Sequence, residues 1–437
     1  MFRTLSLSAL ALGAAMSPAL AQTEIQWWHA MGGELGQKLE AIVADYNATQ
    51  TDYKVVPSFK GTYAETMTAA IAAFRAKEQP AIVQVFEVGT GTMMAAKGAV
   101  YPVYQLMADM AEPFDPSAFL PAVVGYYTDT AGNMLSMPFN SSTPILYYNK
   151  DVFEKAGLDR NTPPKTWEEV EAFSRQIMAS GAAKCGFTTG WISWVQLENF
   201  SAWHNQPIGT LENGFGGLET ELTVNGPVQV RHWENLARWQ KEGLFQYGGP
   251  VGGNDAPPKF YTQECAIYMN SSASRAGVIA NAKDFEVGYG MLPHYADIAP
   301  QNSIIGGATL WVLQGRPEAE YKAVADFFTY LSSAEVQAKW HQETGYLPIT
   351  QAAWDLSKSQ GYYDANPGAD VSIRQMTLNA PTANSKGLRF GSYVQIRGII
   401  DEEFQALLAG QKDAQTALND LVARGNVLIR EFEAANK

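Results

Sequence analysis

Cysteine is nearly absent from this 437-residue chain, which carries only Cys185 and Cys265. There is no Cys-x-x-Cys pair, and the five histidines, at 29, 204, 232, 294 and 341, form no His-Glu-x-x-His run. The spacing of a metal site is therefore missing. Positive charge is also short: 31 Lys and Arg face 44 Asp and Glu, a net charge of −13. An acidic chain with no basic run is a poor binder of phosphate backbones, which argues against nucleic acid as a partner. Beyond the N-terminus no stretch reaches the ~18 uninterrupted apolar residues of a membrane span. The Walker pattern and the Gly-x-Ser-x-Gly elbow are missing, and Gly89-Thr90-Gly91 lacks the third glycine of a dinucleotide fingerprint. No nucleophile, base and orienter assemble in sequence, so we expect no catalytic residue, no metal and no cofactor.

What is present is ordinary globular composition, 46% hydrophobic and 17% charged, in a length that suits two domains. Arg3, the apolar stretch Leu5–Met16 and the small residues of Ala19-Leu20-Ala21 read as an export signal cleaved after Ala21. In an oxidising compartment the two cysteines are expected to bridge; two separate buried thiols are the alternative.

Downstream, strand and helix signals alternate. Ile25–Trp28 and Tyr53–Val56 read as strands, and Leu35, Leu39, Ile42, Val43 and Tyr46 share one helical face. Met67, Ala70, Ile71 and Phe74 mark a second helix before the apolar strand Ala81–Phe86. This order predicts an α/β fold. A second series follows Pro138-Phe139-Asn140-Ser141-Ser142, with a strand at Ile145–Tyr148 and a capping box at Thr166 and Glu169. Ser332-Ser333-Ala334-Glu335 repeats that signature. Val287–Leu292 and Ala308–Leu313 read as strands, and Asp401–Ala435 as mostly helical.

Several residues suit a small polar ligand, each with a plainer explanation beside it. Glu87 follows a strand at the edge where ligands of open α/β sheets sit, and could accept from vicinal hydroxyls or simply be a solvated loop acid. Trp191 and Trp194, three apart, would share a helical face and cover a polyol or a cationic head group, unless they are core. Ser141-Ser142 and Ser271-Ser272 lie beside turns, the second pair ahead of a helical segment Ala273–Ala282; they could meet an anion or cap the chain. Gly306-Gly307 offers either close backbone approach or turn geometry. Arg397 sits in the apolar run Val394–Ile400 and needs a partner: an internal carboxylate, or a ligand phosphate.

Trp28-His29-Ala30-Met31, Gln84–Thr90, Pro138–Pro144, Leu146–Lys150, Gln196–Trp203, Ile304–Ala308, Thr344–Ile349 and Gln395-Ile396-Arg397 together carry a family likeness along nearly the whole exported chain. The chain resembles the periplasmic solute-binding proteins of bacterial ABC importers, in the branch that binds sn-glycerol-3-phosphate. That resemblance implies a two-lobed fold, each lobe an open, mainly parallel sheet flanked by helices, with the ligand in a cleft at the hinge. Residues 22–137 and 291–332 would form one lobe, and 138–290 and 333–437 the other. The family's ligand contacts fall on Tyr63, Glu87, Ser142, Ser271, Gly307, Tyr346 and Arg397, with its paired tryptophans on Trp191 and Trp194. The bulk of Tyr268-Met269-Asn270 leaves the choice between Ser271 and Ser272 open. Glycerol-3-phosphate is the implied ligand, with its phosphate on Arg397 and its hydroxyls at a separate end on Glu87. A glycerophosphodiester such as glycerophosphocholine is the alternative, and a secreted glycerophosphodiester hydrolase a remote one. The implied partner is a membrane permease, and the implied state a periplasmic monomer.

Overall fold

The computed structural model describes residues 22–437 except 251 and 253. The export signal and its cleavage after Ala21 lie outside the described residues. Among the described residues eleven strands form two sheets, one in each of two lobes. β1 (Thr23–His29), β2 (Tyr53–Phe59), β3 (Ile82–Phe86), β4 (Val100–Tyr101), β5 (Met137–Ser142) and β11 (Gly306–Leu313) make the first. β6 (Pro144–Asn149), β7 (Cys185–Thr189), β8 (Phe245–Tyr247), β9 (Cys265–Ser271) and β10 (Val287–Gly290) make the second, ordered β10-β6-β9-β7-β8.

The two-lobed α/β plan matches the expectation, but the sheets are mixed rather than mainly parallel. β1 pairs parallel with β2 and β3, whereas β11 runs antiparallel to β3, β4 and β5. In the second sheet β7 is parallel to β8 and β9, and β6 is antiparallel to β9 and β10. The reason is connectivity. β11 enters the first sheet only after the chain has traversed the second, so no crossover helix dictates its direction.

The expected boundary after residue 137 cuts through β5, which pairs with β11. A single residue, Thr143, separates β5 from β6 in the other sheet. Trp340, Leu347 and Ile349, expected in the second lobe, pack in the core that holds Ile25, Trp27 and Leu39.

Local signals explain some helix ends. Thr166 and Glu169 form the expected capping box at the helix Trp167–Ala179. At the later signature the cap is Ser333, accepting from the Val336 N–H, and Ser332 instead ends the preceding helix Glu318–Leu331. The strand expected over Val287–Leu292 stops at Gly290. Cys185 and Cys265 face each other in the parallel β7–β9 register, Cα atoms 4.6 Å apart, and are joined by a disulfide.

Candidate functional site

A cavity of about 700 Å³ lies between the sheets. It is lined by Tyr63, Glu87, Ser142, Trp191, Trp194, Ser271, Gly307, Tyr346 and Arg397, so the fold brings every candidate residue to one cleft. Three elements explain why. β3 ends at Phe86, and the chain turns there into a short helical turn beginning at Glu87. β5 and β11 lie antiparallel with Ser142 opposite Gly306 and Ser141 opposite Gly307, which sets Ser142 and Gly307 at the cleft edge of the first sheet. β9 delivers Ser271 from the other lobe, and the helix Tyr393–Leu408 delivers Arg397.

Gly307 has φ +108°, and a Cβ there would stand 2.1 Å from the Asn140 carbonyl oxygen. Only glycine fits. Ser271 lines the cavity, and its Oγ accepts from the Ala273 N–H at 3.1 Å. Ser272 is buried outside the cavity lining, so between the two serines it is Ser271 that faces the cleft. Tyr63 stacks flat on Phe86, ring centroids 5.3 Å apart, and its hydroxyl accepts from Asn140 Nδ2 at 3.0 Å. Asn140 Oδ1 in turn accepts from Gln84 Nε2 at 2.8 Å, a network that locks the tyrosine in place. Tyr346 stacks on Trp340.

The tryptophans depart from the expected geometry. Trp191 precedes the helical segment and takes a left-handed backbone, φ +47°, while Trp194 opens a π-helical turn, Trp194–Asn199. They do not share the face of one helix, yet both line the cleft. Positive φ in a bulky residue costs about 1–2 kcal/mol, and such strain concentrates where ligands are held.

Arg397 is the electrostatic centre. Its Nε and Nη2 form a bidentate pair with Glu198 at 2.9 and 2.6 Å, and Nη2 also donates to Glu87 Oε1 at 2.6 Å. Glu198 is fully buried, Glu87 4% and Arg397 7% exposed. Among the described residues Nη1 has no hydrogen-bond partner, and Arg397 lines the cavity. Burial raises the Glu87 carboxyl, opposed by Arg397 and reinforced by the negative charge of Glu198. Burial alone would lower the Arg397 guanidinium, but Glu198 and Glu87 together push it well up. Burial also pushes Tyr346 up to about 12.

Arg397 and Glu87, expected at separate phosphate and hydroxyl ends of the cleft, touch in this structure. The plainer explanation of Arg397, an internal carboxylate, also holds, in the form of Glu198. Sequence reasoning missed Glu198. Its signal was visible, a lone acid among Val195, Leu197 and Phe200 that demands a buried cation. Asn140 and Gln84 were missed because amides in strands carry no comparable signal. Among the described residues no group of three or more His, Cys, Asp and Glu could hold a metal ion, and no helix is long and apolar enough to cross a membrane.

Residues 41–368 match the family profile of bacterial extracellular solute-binding proteins. The chain is 51% identical over 422 residues to a protein of Yersinia pseudotuberculosis named sn-glycerol-3-phosphate-binding periplasmic protein UgpB, covering 96% of this chain and 95% of that one. It is 49% identical over 411 residues to the protein of the same name from Rhizobium meliloti, covering 94% and 95%. Among solved structures it resembles UgpB of Mycobacterium tuberculosis in complex with glycerophosphocholine, with a TM-score of 0.76 at 21% identity over 94% of this chain and 99% of that one. It also resembles the GacH receptor of Streptomyces glaucescens, solved unliganded and with acarbose, with a TM-score of 0.77 at 16% identity over 94% and 100%.

Proposed function

The chain belongs to the bacterial extracellular solute-binding protein family, and on that premise we propose that its cleft captures a glycerol phosphate for an ABC importer. The observation that carries this reading is a buried guanidinium whose Nη1 has no hydrogen-bond partner among the described residues, in a cavity that Arg397 lines together with Ser142, Ser271, Gly307 and Tyr346. Arg397 would hold a phosphate oxygen through Nη1, with Ser142, Ser271, the Tyr346 hydroxyl and the Gly307 N–H completing the shell. Charge-assisted hydrogen bonds are about twice as strong as neutral ones, so this end dominates affinity. Glu87, beside the arginine rather than remote from it, would accept from a glycerol hydroxyl, with Tyr63 next to it. The net charge of −13 opposes an anion only weakly, because charges beyond ~8 Å are screened at physiological salt while Arg397 acts at contact.

Contacts drawn from both lobes favour the closed state, the form a permease would recognise. No bond is broken in this scheme, and we propose no catalysis. The reading takes the protein as a monomer delivered by its N-terminal signal to the periplasm, the compartment that the names of its relatives give. The lobes would divide after Ser142, where β5 gives way to β6.

One observation favours a glycerophosphodiester as a further ligand. Trp191, Trp194, Tyr261 and Tyr268 line the same cavity, an aromatic wall able to take a choline by cation–π contact. Calorimetric titration of the mature protein with glycerol-3-phosphate, glycerophosphocholine, maltose and inorganic phosphate tests the proposal. Saturable heat is expected with the two glycerol phosphates and none with maltose; the reverse order would overturn it.

A further inference from the structure

The contact between Arg397 and Glu87 raises a charge problem for any phosphate in this cleft. Glu198 already neutralises the guanidinium from behind through two hydrogen bonds. Glu87 adds a second carboxylate against Nη2, so the ionised cluster of Glu198, Arg397 and Glu87 carries one net negative charge. A phosphate on Nη1 brings at least one more negative charge beside it, out of water. Resting on the glycerol-phosphate reading of the cleft, we propose that Glu87 takes up a proton when a phosphate group docks on Arg397, and that Glu198 is the positioning residue that makes this uptake necessary.

The surroundings leave Glu87 as the group to respond. The helix Tyr393–Leu408 presents Arg397 to it, and the π-helical turn presents Glu198. Tyr63 faces it from the helix Tyr63–Ala76, Tyr126 and Tyr127 from the helix Pro121–Tyr127, and Tyr346 from the loop after Thr344. Tyr393 faces Glu198 and Arg397. Burial pushes all of these phenols up, so they stay neutral and can supply no counter-charge. Glu198 is fully buried, held bidentate by the guanidinium and absent from the cavity lining. Glu87 makes one hydrogen bond to the guanidinium and lines the cavity, and burial already raises it. Protonation also changes its chemistry usefully. An ionised carboxylate only accepts, whereas a neutral carboxyl can donate to a phosphate oxygen and still accept from a glycerol hydroxyl.

The consequence is affinity linked to pH. Where free Glu87 is ionised, each molecule bound takes up a proton, and affinity falls by up to about tenfold per pH unit as pH rises. Below that range the uptake vanishes and affinity levels off. Glycerophosphocholine is the proper probe, because a phosphodiester does not itself titrate there, whereas a phosphate monoester has a pKa near 6.

Calorimetry with glycerophosphocholine, from about pH 5.5 to about 8.5 in buffers of different ionisation enthalpy, reads the uptake directly. The inference expects a buffer-dependent heat approaching one proton per molecule bound, absent in Glu87→Gln whatever affinity that variant retains. Glu198→Gln, which relieves one negative charge, should reduce the uptake. Heat independent of buffer at every pH, with binding intact, would overturn the proton uptake and leave the ligand reading standing. Uptake that persists in Glu87→Gln would overturn the assignment to Glu87. No heat with this diester or with glycerol-3-phosphate would overturn both readings together.

Discussion

Replacing Arg397 by methionine preserves the length of the side chain and removes its charge. Three hydrogen bonds of 2.6–2.9 Å disappear, and two carboxyls, one fully buried and one 4% exposed, lose the cation they pair with among the described residues. Breaking a buried ion pair by removing one partner costs about 3–5 kcal/mol. At about 2–4 °C per kcal/mol for a large domain, the melting temperature at neutral pH should fall by roughly 10 °C. The sign of the pH dependence is a sharper test. Burial and the neighbouring negative charge already raise the Glu87 carboxyl against the opposing Arg397, and without the guanidinium nothing offsets them. The folded state then holds more protons than the unfolded one through the window above the usual carboxylate range, so the stability of the variant falls as pH rises. Thermal unfolding of wild type and Arg397→Met at acid and alkaline pH should show a gap that widens with pH. Phosphate affinity should drop as well, by roughly 2–5 kcal/mol, or about 30- to 5,000-fold. A variant with unchanged melting temperature at alkaline pH would refute the buried triad as described.

Three further outcomes follow from the fold. Reducing the Cys185–Cys265 disulfide, whose cysteines are 80 residues apart, should cost on the order of 4 kcal/mol, visible as a lower denaturant midpoint with dithiothreitol and no such effect in a Cys185→Ser/Cys265→Ser variant. Gly307→Ala forces a Cβ to 2.1 Å from a backbone oxygen at φ +108°; it should lower stability by more than ~1 kcal/mol and weaken ligand binding in calorimetry. Burial holds His29, His204 and His341 down to about 4 and His232 well below its usual value. The unfolded chain binds protons at these four positions from near pH 6.5 downward while the folded one does not, so stability should drain away between about pH 6.5 and about 4 by several kcal/mol. Urea midpoints measured across that window read the loss, and a flat profile would contradict it.

Much of the site was legible in the sequence where the signal was local. Glu87 was placed by the apolar strand before it, and Gly307 by a glycine pair leading into a strand. Arg397 stood out because a charge inside an apolar run demands a partner. What resisted was pairing at long range. Glu198 lies 199 positions from Arg397, and Glu87 lies 310 positions away, so the choice between an internal acid and a ligand had no local sign. The internal acid is there: Glu198 satisfies the arginine, and Arg397 nevertheless lines the cavity. The membership of β5 in the first sheet depends on β11, far downstream. The relation of the tryptophans was misjudged for a different reason. A three-residue spacing implies one helical face only if the helix already includes the first residue, and Trp191 stands outside it in a left-handed turn.

The central claim is that one guanidinium, held from behind by Glu198, receives the phosphate of a glycerol-phosphate solute. A crystal structure of the mature protein grown with glycerol-3-phosphate tests it most directly. The expected result is a phosphate oxygen within hydrogen-bonding distance of Arg397 Nη1, with Ser142, Ser271 and the Gly307 N–H around it and Glu198 still bidentate. A phosphate seated elsewhere in the cleft, with Arg397 bound to its two acids alone, would contradict the account.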